Sequence, residues 1–127
     1  MNLNQITVPS IDVLQSVAFY KNLGLQLIVL AEERYARFEC PEGDSTFSIH
    51  HVDQLPSGDG ISVYFEVDDV AQKVSELKSK GVSFKSESTD QPWLWTEARL
   101  KDPDGNQLII FNAGDNRKNP PWRIQEL

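Results

Sequence analysis

The chain has a single cysteine, Cys40, in 127 residues. An internal disulfide is excluded, and this cysteine usage fits a reducing, cytoplasmic setting. No apolar run approaches the ~20 residues that a membrane helix needs, so no membrane partner is expected. Met1-Asn2-Leu3-Asn4-Gln5 carries neither a basic n-region nor an apolar h-region, which argues against secretion. Positive charge is scarce too, with 12 Lys and Arg against 19 Asp and Glu and a formal net charge of −7. Binding nucleic acid takes clustered basic residues. Here they are scattered among a majority of acids, so nucleic acid is not the expected partner. The acidity itself keeps the protein soluble. A 39% hydrophobic share is that of a folded domain, and the length fits one domain with a real core.

The most strongly patterned stretch is Asp102-Pro103-Asp104-Gly105-Asn106. Proline presets the φ that opens a turn, and glycine tolerates the positive φ that closes it. Ala98-Arg99-Leu100-Lys101 before it and Leu108-Ile109-Ile110-Phe111 after it read as strands, giving a hairpin with a tight tip. Earlier, Leu3 to Val8 alternates as a strand that Pro9 and Ser10 break. Asp12 caps a helix whose positions Val13, Val17, Tyr20 and Gly24 form one stripe. Leu25 to Leu30, Tyr35 to Glu39 and Thr46 to His50 follow as strands.

The second half repeats this order. Ile61 to Val67 is a strand, Asp69 caps a helix with Val70, Val74, Leu77 and Gly81, and Val82-Ser83-Phe84-Lys85 reads as the next strand. Asp12-Val13-Leu14-Gln15 overlays Asp69-Val70-Ala71-Gln72, with Lys21 on Lys78 and Gly24 on Gly81. The offset is constant at 57 residues, the step from Asp12 to Asp69. The expected fold is α+β: two tandem β-α-β-β-β modules forming a curved sheet or half-barrel around a central pocket. Module one covers about 1–55, module two about 56–114, and 115–127 is a tail in which Trp122 is expected to pack back on its own domain or on a partner subunit.

With its paired modules, the segment from Asp12 to Leu25 and the Asp102–Asn106 turn, the chain resembles the glyoxalase/bleomycin-resistance/extradiol-dioxygenase superfamily, also called the vicinal oxygen chelate superfamily. The resemblance covers residues 3 to about 113. It implies a homodimer that takes a small molecule. Metal-dependent members hold a divalent ion through His, Glu or Gln at four inward strand positions. Those positions fall here on Gln5, Ser48, Ser62 and Ile109. Gln can serve, but serine hydroxyls bind such an ion weakly and isoleucine has no donor. The expectation is no cofactor.

Strand alternation supplies a different set of inward residues. His50 follows Ser48, Tyr64 follows Ser62 and Phe111 follows Ile109, while Trp95, Glu97 and Arg99 share a parity on the strand entering the hairpin. His51 should point the other way, into solvent. Histidine is the side chain that ordinarily titrates near neutrality, so His50 is the acid/base candidate, with Glu97 beside it. Trp95, Tyr64 and Phe111 suit a planar ligand, and Arg99 suits its anionic group. Glu97 and Arg99 are equally readable as a structural ion pair. Three functions stay open: a metal-independent binding protein or enzyme for a small polar or aromatic anion, a divalent-metal lyase or isomerase using Gln5, His50 and Glu97, and a non-catalytic sequestering dimer.

Overall fold

The computed structural model describes residues 1–125; the last two residues of the expected tail, Glu126 and Leu127, lie outside the described residues. It comprises two units, each built on a four-stranded sheet. The first unit is Met1–Ile61 together with Lys101–Asn106, and the second is Ser62–Leu100 and the chain from Gln107 onward. The turn at 101–106 thus belongs with the first unit, not with the second module as the repeat implies.

In the first unit, β1 (Gln5–Ser10), α1 (Val13–Leu23), β2 (Gln26–Ala31), β3 (Tyr35–Glu39) and β4 (Thr46–His51) follow in order. The sheet order is β1-β4-β3-β2, with β1 parallel to β4 and the other pairs antiparallel. Asp12 caps α1 through its side chain, which accepts from the Gln15 backbone N–H at 3.1 Å. Gly24 ends the helix at φ 112°, a left-handed angle that glycine adopts without strain. One sheet face is apolar and closes on α1. There the Tyr20 ring lies 4.6 Å from Phe47 and 5.7 Å from Phe38 between centroids, and all three are fully buried with Val8, Ala36 and Ile49. β1 runs on through Pro9 to Ser10, past the expected break, because an edge strand bonds on one side only and tolerates a missing N–H.

The second unit holds β5 (Ser62–Glu66), α2 (Val70–Ser79), β6 (Ser86–Asp90), β7 (Thr96–Lys101) and β8 (Gln107–Asn112), then a short 3-10 helix, Gly114–Arg117. The order β5-β8-β7-β6 repeats that of the first sheet, with β5 parallel to β8. Asp69 caps α2 by accepting from Gln72 N–H at 3.0 Å. Val70 and Val74 of the helix bury against Ala98, with Val67 and Phe84 packed on them.

Val82-Ser83-Phe84-Lys85 is not the strand expected from its alternation; the strand is the next segment, Ser86-Glu87-Ser88-Thr89-Asp90, exposed along its whole length. Phe84 instead packs on the Val70, Val74 and Ala98 cluster under α2, and Val82 is buried. Trp122 does not pack back on its own unit as one reading held, being 57% exposed. Among the described residues no helix is long and apolar enough to cross a membrane.

Candidate functional site

The Asp102–Asn106 turn is a structural device. Asp102 is buried, and its carboxylate accepts four hydrogen bonds. The donors are Tyr20 Oη at 2.5 Å, Asn106 Nδ2 at 2.8 Å, and the backbone N–H groups of Asp104 and Asn106 at 2.9 Å. Asp104 accepts from Ile11 N–H at 2.8 Å and Ser16 Oγ at 2.9 Å, and Asn106 Nδ2 also donates to Pro9 O at 3.0 Å. These bonds bind the turn to the start of α1 and the end of β1. Burial first, then the charge of Asp102, holds the Tyr20 phenol protonated well above the ordinary tyrosine range.

The sheet face away from α1 is polar. Thr7 stands level with Ser48, and their hydroxyls lie 2.5 Å apart; Ser48 is fully buried. Across the antiparallel pair, Ser48 is opposite Arg37 and His50 is opposite Tyr35. Arg37 Nε donates to Tyr35 Oη at 2.9 Å, and its guanidinium carbon lies 5.4 Å from the Tyr35 ring centroid. Burial would raise the Tyr35 phenol, but hydrogen bonds from Ser48, Arg37 and Gln5, with the charge of Arg37, outweigh it and lower its pKa. Gln5, Ser48 and His50 therefore share this face, as alternation implies. Tyr35, Arg37 and Thr7 were missed, although the odd-numbered parity of β3 was available to find them.

His50 is exposed, while His51 is half-buried and bonded to Asp53 at 3.0 Å, the reverse of the expected exposures. Gln5 lies level with Thr46 and His50 with Pro9, four strand positions or roughly 13 Å further along. The structure does not bring Gln5 and His50 together as a ligand pair.

In the second unit, Tyr64 stands level with Ile109, and Ser62 with Gln107. Trp95 and Phe111 stack with centroids 4.9 Å apart and planes 23° apart. Tyr64 meets both edge-on, at 5.8 and 5.5 Å. The aromatic trio sits over Ile109 and Ala113, and Tyr64 is 46% exposed. Trp95 Nε1 donates to Asn116 O in the 3-10 helix at 3.4 Å. Glu97 is 1% exposed, and both of its oxygens are engaged. Oε1 accepts from Arg99 Nη2 at 3.0 Å and Oε2 from Trp93 Nε1 at 2.8 Å. Arg99 is 40% exposed at its side chain. The ion-pair reading of Glu97 is the observed one. A carboxylate held at both oxygens positions Arg99 and is poorly placed to act as a base or metal ligand. Ser62 is exposed and joins none of these bonds among the described residues.

The four positions that the family resemblance assigns to a divalent ion carry a poor donor set. The Gln5 amide oxygen accepts from Thr46 at 2.8 Å, Ser48 is bonded to Thr7, Ser62 offers a neutral hydroxyl and Ile109 offers nothing. These residues do not fit a divalent metal.

Comparison with known proteins agrees with the fold. A crystal structure of a glyoxalase/bleomycin resistance protein/dioxygenase from Nocardioides matches with TM-score 0.78 at 21% identity, covering 98% of this chain and 90% of that one. Lactoylglutathione lyase from Agrobacterium tumefaciens matches at 0.72 and 16% identity, over 87% and 92%. A bleomycin-binding protein complexed with bleomycin matches at 0.72 and 24% identity, over 88% and 98%. No curated protein matches the chain. The family model described as Glyoxalase/Bleomycin resistance protein/Dioxygenase superfamily matches residues 2–110. With that match over most of its length, and with two β-α-β-β-β units in tandem, the chain belongs to the glyoxalase/bleomycin resistance protein/dioxygenase superfamily.

Proposed function

We propose that the protein binds a small planar anion against the aromatic face of its second unit, without a metal. The observation that carries this is Arg99: a partly exposed guanidinium fixed by a buried carboxylate, on the same strand parity as the Trp95–Phe111 stack. Stacking on Trp95 and Tyr64 suits a flat apolar body, at roughly 0.5–1.5 kcal/mol per aromatic pair. The remaining donors of Arg99 suit the carboxylate of such a ligand, and a charge-assisted hydrogen bond contributes about 1.5–3 kcal/mol. Glu97 positions Arg99 in this reading. Homodimer formation is part of the same proposal. Lactoylglutathione lyase and bleomycin-binding protein share the fold, so either chemistry can be built on it; the donor set described above favours binding over metal-dependent lysis.

The test is titration with 1-naphthoate, followed by tryptophan fluorescence, with uncharged 1-naphthalenemethanol and bleomycin as comparison probes. Saturable quenching by the carboxylate is expected. The paired variant Glu97→Gln/Arg99→Gln avoids stranding a buried charge and should weaken binding tenfold or more. Equal affinity for the neutral probe, or an unchanged affinity in the paired variant, would remove Arg99 from the reading.

A further inference from the structure

We propose that the polar face of the first unit is a separate oxyanion site, in which Arg37 supplies the charge and Tyr35 a directed hydroxyl. Three observations carry it. Arg37 is in no ion pair among the described residues of a protein with net charge −7. Among the described residues its one hydrogen bond to a side chain, Nε to Tyr35 Oη at 2.9 Å, holds the guanidinium on the sheet and leaves both terminal nitrogens for a ligand. The surrounding side chains are neutral and polar: Ser48 and Thr7, bonded to each other on neighbouring strands, and Gln5 on the same face. The phenol oxygen accepts from Arg37, and in the proposed complex its own O–H donates to a ligand oxygen lying beside the guanidinium. The geometry matches a carboxylate or a phosphate monoester, which a planar guanidinium holds by two parallel bonds. His50 faces Tyr35 from β4, and Glu39 is the acid on the same parity of β3. No element of the face presents an acid that already bonds Arg37.

This site rests on residues of the first unit alone, and its test can fail or succeed independently of the Arg99 reading. A bound anion shares the charge of Arg37 and accepts from the phenol, so it must make Tyr35 harder to ionise. By linkage, a twofold preference of the anion for the neutral phenol shifts the midpoint by about 0.3 pH units. The experiment is ultraviolet phenolate titration at constant ionic strength, in chloride, then in inorganic phosphate, then in acetate. The expected result is one early-titrating tyrosine, absent in Tyr35→Phe, whose midpoint rises saturably with phosphate or acetate by at least that amount. Arg37→Gln should abolish the response. Arg37→Lys, which keeps charge without the Nε bond, should retain part of it, and far-ultraviolet circular dichroism verifies the fold of each variant. A response to phosphate alone assigns phosphate esters, and one to acetate alone assigns carboxylates. No response to either anion, or a response that survives Arg37→Gln, overturns the site.

Discussion

Replacing Tyr20 with Phe removes one hydroxyl from the buried network at the 101–106 turn and leaves the ring packed on Phe38 and Phe47. Asp102 then keeps three of its four donors, those from Asp104 and Asn106. A hydrogen bond to a charged group contributes about 1.5–3 kcal/mol, so Y20F should lose that much stability to urea at pH 7. The pH dependence separates this cause from a simple loss of packing. The folded pKa of Tyr20 lies above its unfolded value, so the stability it contributes is fully present below pH ~10 and declines above it. In that window the unfolded chain gives up the phenolic proton and the folded chain keeps it. Wild type should lose up to about 1.4 kcal/mol per pH unit from this group, and Y20F none. The gap between the two should therefore narrow by about 1 kcal/mol from pH 10 to 11, because the unfolded phenol is only half ionised at pH 10, measured by urea unfolding at each pH. A gap of under 0.5 kcal/mol at pH 7, or one that stays constant up to pH 11, refutes the reasoning.

Glu32 and Glu33, at φ 53° and 57°, form the β2–β3 turn in a conformation that suits Asn-Gly. The pair Glu32→Asn/Glu33→Gly should raise stability by roughly 1–2 kcal/mol, read as a higher urea midpoint. Phe38→Ala empties the layer under α1 and should cost about 3–5 kcal/mol in the same assay. Arg99→Ala leaves buried Glu97 with Trp93 alone and should cost about 1–2 kcal/mol, the partial exposure of Arg99 reducing the loss. Light scattering should give twice the chain mass, and a monomeric mass would contradict the dimer.

The helices were the most legible part of the chain, because a capping aspartate and an apolar stripe act within one turn of each other. Both caps, at Asp12 and Asp69, are where the residues place them. β6 was illegible for the converse reason. Ser86 to Asp90 bury nothing, so no alternation marks them, and the strand exists through its backbone pairing with β7. For the candidate site, parity placed Trp95, Tyr64 and Phe111 in one cluster, since alternation is a local property of each strand. The partners of each side chain are settled by register between strands, which a single strand does not display. Hence Thr7, level with Ser48, and the Tyr35–Arg37 contact went unseen, and Gln5 was paired with groups four positions away.

Residues 101–106 belong with the first unit although about forty residues of other structure precede them in the chain. During synthesis from the N-terminus, α1 and its sheet emerge long before the carboxylate that their buried Tyr20 hydroxyl requires. The nascent first unit must wait with that donor unmatched until the turn has left the ribosome, so its completion is a late, long-range event and not a local one. A fragment ending at residue 61 should accordingly refold poorly, and addition of the later segment in trans should rescue it.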